Sequence, residues 1–211
     1  MNAIDLLATT LNRRDDQPNQ DLADSIIQNK RTDWVEELIV LLHHKDTNIQ
    51  SDSIKVLYEI GERGAAEMIA PYCKEFGEIL TSKNNRLIWG AMTALYTVAS
   101  VNPEGVFELL PAIMPAIDKG SVITIDHGVG ILAKLSAISG YTEITFPLLM
   151  EQLRKCPSKQ LPMYAEKSLC AVHPENRKEF IDLLLSRLPE MDKESQKTRI
   201  KKVIKAVENG K

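Results

Sequence analysis

The sequence predicts an all-α fold, a right-handed superhelix (solenoid) of about five helix pairs preceded by a partial N-terminal pair. Three observations predict it. One apolar pattern recurs five times at spacings of 35 to 38 residues. Each copy has helical rather than strand periodicity. Short polar connections separate the copies from a second amphipathic segment, which is how antiparallel helix pairs are joined. A period of this length is the signature of repeat architectures, in which each unit buries its apolar face only by stacking on its neighbours.

The repeat is anchored on Leu57, Leu95, Leu132, Leu169 and Ile204. Three residues later stand Ile60, Val98, Leu135, Val172 and Val207. Four residues earlier stand Ser53, Ala91, Gly128, Ala165 and Ile200, small in four of the five copies. Positions i, i+4 and i+7 form one stripe of an α-helix, so all five copies predict a core-facing second helix. First helices are predicted over Asp33–His44, Ala65–Leu80, Pro103–Ile117, Tyr141–Leu153 and Pro174–Leu188. Asn102-Pro103-Glu104 and His173-Pro174-Glu175 carry helix-start signals, a polar residue, a proline and an early acid. Ala3–Asn12 and Asp21–Asn29 read as a degenerate first pair around a loop at Asp15–Asn19. The expected organisation is one domain over 1–211, with the degenerate repeat at 1–30 and repeats at 31–64, 65–101, 102–140, 141–173 and 174–211.

The stretch Asp46-x-x-Ile49-x-x-x-Ser53-x-x-Val56-Leu57 resembles the loop and second helix of HEAT repeats, with Gln50 where an arginine is usual. Ala70-Pro71, Leu110-Pro111 and Phe146-Pro147 resemble the proline of HEAT first helices, each lying 21–24 residues before its central leucine. A mid-helix proline removes a hydrogen bond and kinks the helix. The chain is therefore similar to HEAT/armadillo-type helical repeat proteins over about residues 30–208. That resemblance implies second helices lining a concave face, and a non-catalytic scaffold or adaptor that binds a protein or peptide.

Composition narrows the function classes. The 211 residues include 26 basic and 29 acidic side chains, 44% hydrophobic and only 5% aromatic. This is the profile of a globular protein. Cys73, Cys156 and Cys170 are odd in number and widely spaced, so neither a disulfide framework nor a zinc module is expected. The N-terminus lacks a basic segment followed by an apolar core, and the longest uncharged apolar run, Leu87–Val101, is short for a membrane span. A cytoplasmic protein without membrane association is expected.

No catalytic constellation emerges. His43 and His44 are adjacent and diverge by about 100° on a helix. No HExxH, GxSxG or phosphate-binding loop is present, so the expectation is no catalytic residue, no metal and no cofactor. Gly128-Val129-Gly130-Ile131-Leu132-Ala133 follows the alternating run Val122–Asp126 and formally fits a dinucleotide fingerprint. The helical surroundings favour instead glycines that admit a close neighbouring helix.

Aligning the repeats places Trp89, Asp126, His127, Met163, Tyr164 and Lys167 near the starts of second helices and off the core stripe. Amphipathic aromatics with a charged rim are what binding hot spots use, so these six form the expected partner-binding ridge. Charge is uneven. Residues 1–149 carry 12 basic and 20 acidic side chains, and residues 150–211 carry 14 and 9. Lys197, Arg199, Lys201, Lys202 and Lys205 gather on the last helix. They read as the polar cap of a terminal repeat more than as a nucleic-acid patch. A rival reading is a HEAT-like DNA-binding protein, similar to the alkylpurine DNA glycosylases of this architecture, with Trp89, Asp126 and Tyr164 in the groove. Only Arg86, Lys119 and Lys134 are basic between residues 84 and 150, too few to neutralise a run of phosphates.

Overall fold

A computed structural model describes residues 2–210. Among them are twelve α-helices and several short 3-10 turns, and no strand. They gather into two compact units, one reaching to Gly128 and the other starting at Val129.

The first unit begins with a 3-10 turn, Ala3–Leu6. The expected helix over Ala3–Asn12 does not form beyond it. The backbone N–H groups of Ala3 and Ile4 donate instead to the Glu37 carboxylate, at 2.8 and 3.1 Å. The next elements are α1 (Gln17–Asn29), α2 (Thr32–Leu41), α3 (Thr47–Ile60), α4 (Cys73–Ile79), α5 (Asn85–Val98), α6 (Pro103–Glu108) and α7 (Leu110–Lys119). Helix α1 starts inside the expected loop because Pro18 occupies its first turn, where a missing N–H costs nothing. It ends on Lys30 in the left-handed region (φ 52°), with the Lys30 N–H returned to the carbonyls of Ile26 and Ile27. Helices α3 and α5 are both capped by the residue before them. Asp46 accepts the Asn48 N–H at 2.8 Å and Asn84 accepts the Arg86 N–H at 3.0 Å. Such caps contribute about 1 kcal/mol each. Helices α1, α3 and α5 stack in sequence, with α2 packed on α3 and α4 on α5.

The prolines act more strongly than a kink. Pro71 falls in a 3-10 turn, Ala70–Tyr72, so the expected first helix over Ala65–Leu80 survives only as α4. Pro111 opens α7 and separates it from α6. Asn102 joins these pieces, accepting the Gly105 N–H while its amide nitrogen donates to the Ala70 carbonyl at 3.3 Å.

Helix α8 (Val122–Ser136) contains both the strand-like run and the glycine motif, which removes the dinucleotide fold. A Cβ on Gly128 would lie 2.3 Å from Ile117 Cγ1, so this glycine serves close packing. The second unit continues with α9 (Ser139–Lys155), α10 (Leu161–Lys167), α11 (Arg177–Arg187) and α12 (Glu194–Glu208). Pro147 lies within α9 without ending it. The expected start at His173-Pro174-Glu175 is a turn; Asn176 precedes α11 and accepts the His173 N–H at 2.8 Å. Arg187 is buried and charged. Its guanidinium donates to the Leu153 carbonyl at 2.7 Å and pairs with Glu190.

The core stripe holds in four of five copies. Leu57, Leu95 and Leu132 are fully buried, as are Ile60, Val98 and Leu135, while Ile204 and Val207 are buried in the last copy. The fourth copy departs. Leu169 and Val172 are only half-buried, because α10 passes into a 3-10 turn at Ser168–Ala171. Three residues per turn replace 3.6, so the buried set becomes Ala165, Ser168 and Ala171, each at 0% exposure. The Ser168 hydroxyl is satisfied there by the Tyr164 carbonyl at 2.7 Å.

Candidate functional site

Helices α3, α5 and the first turns of α8 carry the candidate face, entirely within the first unit. Trp89 is half-buried on α5, and its ring lies 5.5 Å from that of Tyr58 on α3, tilted by 53°. His127 is half-buried on α8, and its ring lies 5.3 Å from that of Tyr96 on α5, tilted by 52°. The two pairs repeat one geometry. Tyr58 and Tyr96 each follow a central leucine, and both the tyrosines and their ring partners are 38 residues apart. His127 is thus the structural counterpart of Trp89, one residue beyond Asp126, which stands six residues before its central leucine as Trp89 does. Tilted ring pairs at this separation contribute about 0.5–1.5 kcal/mol beyond their burial, and they hold the rings in place as a rigid surface.

Charges surround the first pair. Lys55 Nζ sits 4.9 Å from the centre of the Tyr58 ring, 2.6 Å from Glu59 and 3.8 Å from Asp16. Arg63 bridges Glu59 at 3.0 Å and Asp24 at 2.8 Å. Burial works against the Lys55 charge, yet its bonds to Glu59 and Tyr58 hold its pKa above the ordinary lysine range. Burial pushes the Tyr58 hydroxyl above its usual value, with Lys55 opposing. Glu62 is exposed and forms no ion pair; partial burial and then the neighbouring Glu59 charge raise its carboxyl. Glu62 and Arg63 belong to the turn Gly61–Ala65 that follows α3 directly, where the chain kinks at Gly64 (φ 85°).

The remaining ridge residues divide. Asp126 is half-buried beside His127. In the second unit Met163 and Lys167 are half-buried and one turn apart on α10. Tyr164 is 2% exposed and belongs to the core of that unit, so its ring is not available as a docking surface. The counterpart of Tyr164 in an earlier repeat, Gly90 of the unbroken α5, is buried as well, so this repeat position borders the core. Tyr58 and Tyr96 were absent from the expected ridge. Their signal was present in the repeated Leu-Tyr dipeptides of the second helices.

On α12, Ile200, Val203, Ile204 and Val207 are buried, while Arg199, Lys201, Lys202 and Lys205 are exposed and Lys197 is half-buried. Arg199 spends its charge on a bidentate bond to Glu166 at 2.7 and 2.6 Å. Lys201 lies 3.9 Å from Glu194. Among the described residues no cluster of three His, Cys, Asp or Glu side chains has the geometry to hold a metal ion, and no helix is long and apolar enough to cross a membrane.

No family model matches the chain, and no curated protein does. Solved structures match it. An engineered protein from the Northeast Structural Genomics Consortium is similar over the whole of both chains, with a TM-score of 0.72 at 18% identity. Armadillo repeat proteins computationally designed for modular peptide recognition superpose with a TM-score of 0.67 at 13% identity, covering 90% of this chain and 89% of theirs. A designed armadillo repeat protein in complex with the peptide (KR)4 gives 0.66 at 14%, covering 89% and 86%. Likeness at such low identity resides in the backbone and the stacking of helix pairs, and it fixes the fold of this chain as the armadillo/HEAT-type helical repeat.

Proposed function

We propose that the chain is a non-catalytic, cytoplasmic scaffold that holds a protein or peptide segment along the second-helix face of its first unit. The repeated ring geometry of Tyr58–Trp89 and Tyr96–His127 carries this reading. Rings spaced by one structural repeat suit an extended chain, whose side chains also recur at a fixed rise. Aromatic side chains are the richest source of binding energy per residue at interfaces. Lys55, Glu62 and Asp126 form the polar rim that sets orientation. The designed armadillo protein with its bound peptide supports the use of this fold for peptide capture. The free thiols of Cys73, Cys156 and Cys170 suit a reducing compartment.

The test is selection of a random peptide library on the intact chain, repeated on Trp89→Ala and Tyr96→Ala after circular dichroism confirms that each variant folds. Peptides enriched on the parent chain should lose at least about tenfold in affinity on each variant, as removal of a hot-spot ring does. Enrichment that is identical on the parent chain and both folded variants excludes this face.

A further inference from the structure

The first unit carries 11 basic and 19 acidic residues up to Gly128, yet one depression in it is lined by neutral polar and basic side chains alone. It is about 490 Å³ in volume and lies where the N-terminal ends of α3 and α5 come together. Helix α3 supplies Thr47, Asn48 and Ser51; Lys83 and Asn84 from the preceding loop and Arg86 from α5 complete the wall. Every one of these side chains bears a hydroxyl, an amide or a positive charge. Lys83 and Arg86 are exposed, and neither forms an ion pair or a hydrogen bond through its side chain. A neighbouring depression of about 360 Å³ shares Asn48 and Arg86 and adds Arg13 and Arg14. The carboxylates there are already engaged. Asp15 holds Arg13 at 2.7 Å, Asp16 faces Lys55, and Asp52 accepts the Thr9 N–H at 2.7 Å and the Asn19 amide at 2.9 Å. Arg14 forms no ion pair.

We infer that this depression binds a phosphate monoester, with Arg86 and Lys83 as its principal cations and Arg14 at the rim. A guanidinium takes two phosphate oxygens at once, and a lysine adds a point charge. Asn48 and Asn85 supply neutral donors, while the Asn84 amide is already directed to Gln50 and Ser51 at 3.5 and 3.4 Å. The positive end of the α5 dipole, capped by the neutral Asn84, adds to the same field, whereas the Asp46 carboxylate already occupies that of α3. A compact dianion fits better than a nucleic acid. The cations are confined to one spot, and the surrounding unit, with its net negative charge, repels a long polyanion. The inference is independent of the aromatic face.

The test follows backbone amide shifts of the full-length chain by NMR. The probes are inorganic phosphate, O-phosphoserine, a phosphoserine peptide with its unphosphorylated twin, and a single-stranded RNA dodecamer. Saturable shifts confined to 47–51 and 83–88 are expected with the phosphate compounds and not with the unphosphorylated peptide. Tighter binding of the phosphopeptide than of phosphoserine identifies a protein source; equal binding identifies a small phosphorylated molecule. Affinity should increase from pH 5 to pH 7.5 as the second phosphate proton leaves near a pKa of about 6. Lys83→Gln with Arg86→Gln should weaken binding by at least about tenfold, since charge-assisted bonds are the strong ones. Lys74→Gln, an exposed lysine elsewhere in the unit, should leave it unchanged. Absence of a saturable shift at millimolar phosphate, equal binding by the double variant, or tighter binding of the RNA overturns the inference.

Discussion

In the first unit α3 and α5 each run for 14 residues as unbroken second helices, whereas in the second unit α10 runs for seven and then tightens into a 3-10 turn. The consequences reach the surface. Unbroken helices keep a residue and its counterpart one repeat later on the same face, so Tyr58 and Tyr96 reproduce the same ring contact. The tightened helix turns about 120° per residue in place of 100°. Within one turn it has rotated Leu169 out of the core and placed Ser168 there. A repeat protein thus presents a regular binding ladder only where its helix type is regular. Here that condition is met by the acidic first unit.

The largest expected effect tests the buried stripe. Leu95 is fully buried in α5, so Leu95→Ala should destabilise the chain by about 2–5 kcal/mol through lost burial and a residual cavity. Leu169 occupies the same repeat position but is half-exposed. Leu169→Ala should cost less than about 1.5 kcal/mol, in proportion to the smaller area it removes from contact. Urea unfolding measures both. Equal losses would mean that α10 keeps its α-helical winding past Lys167.

Backbone proximity gives the next contrast. A Cβ on Gly61, where α3 ends, would lie 2.1 Å from Thr97 Oγ1 and 2.9 Å from Thr97 Cβ. The threonine is β-branched and its hydroxyl is bonded to the Ala94 carbonyl at 2.7 Å, so it cannot swing aside freely. Overpacking of this kind costs about 1–3 kcal/mol, against about 1 kcal/mol of helix propensity regained. Gly61→Ala should therefore lower the midpoint of thermal unfolding. Gly140 in α9 has nothing within 4 Å of the same position. Gly140→Ala should raise stability by about 0.4–1 kcal/mol, chiefly by restricting the unfolded chain.

Much of this was legible in the sequence because apolar periodicity reports directly on burial. Four of the five second helices, the helix start at Asn102 and the packing role of Gly128 all follow from local pattern. Proline was read too gently. Pro71 and Pro111 fall where their first helices divide, whereas Pro147 is carried within α9. Tyr164 was misplaced because its repeat position borders the core, as the buried Gly90 does in α5, and Leu169 because the helix tightens after Lys167. Nothing in a period of 3.6 announces that change of winding. The ladder was half-legible: Trp89 and His127 stood out as unusual residues, while Tyr58 and Tyr96 were hidden by their adjacency to the core leucines.

The smallest effects distinguish the two units by sign. In the second unit the Arg199 bond lowers the Glu166 carboxyl below its usual range. A depressed folded pKa stabilises the fold above the unfolded value and loses that contribution as pH falls through the folded one. Both side chains are more than 40% exposed, so solvent screens the pair and the effect is about 0.5 kcal/mol or less. Glu166→Gln should cost that much at pH 7 and nothing at pH 2. In the first unit, burial and then Glu59 raise the Glu62 carboxyl. A raised folded pKa makes the charged form a liability, absent when the group is protonated in both states and present once pH passes the folded value. Glu62→Gln should accordingly add about 0.3 kcal/mol or less at pH 7, discounted for its exposure, and the gain should vanish as pH falls below the unfolded carboxylate value. Stability curves of the two variants against pH, measured by urea unfolding at low salt, should diverge from the parent in opposite directions above pH 5. If Glu62→Gln instead destabilises at neutral pH, Glu62 has an attractive cationic neighbour in solution, and the rim of the candidate face is already neutralised before any partner arrives.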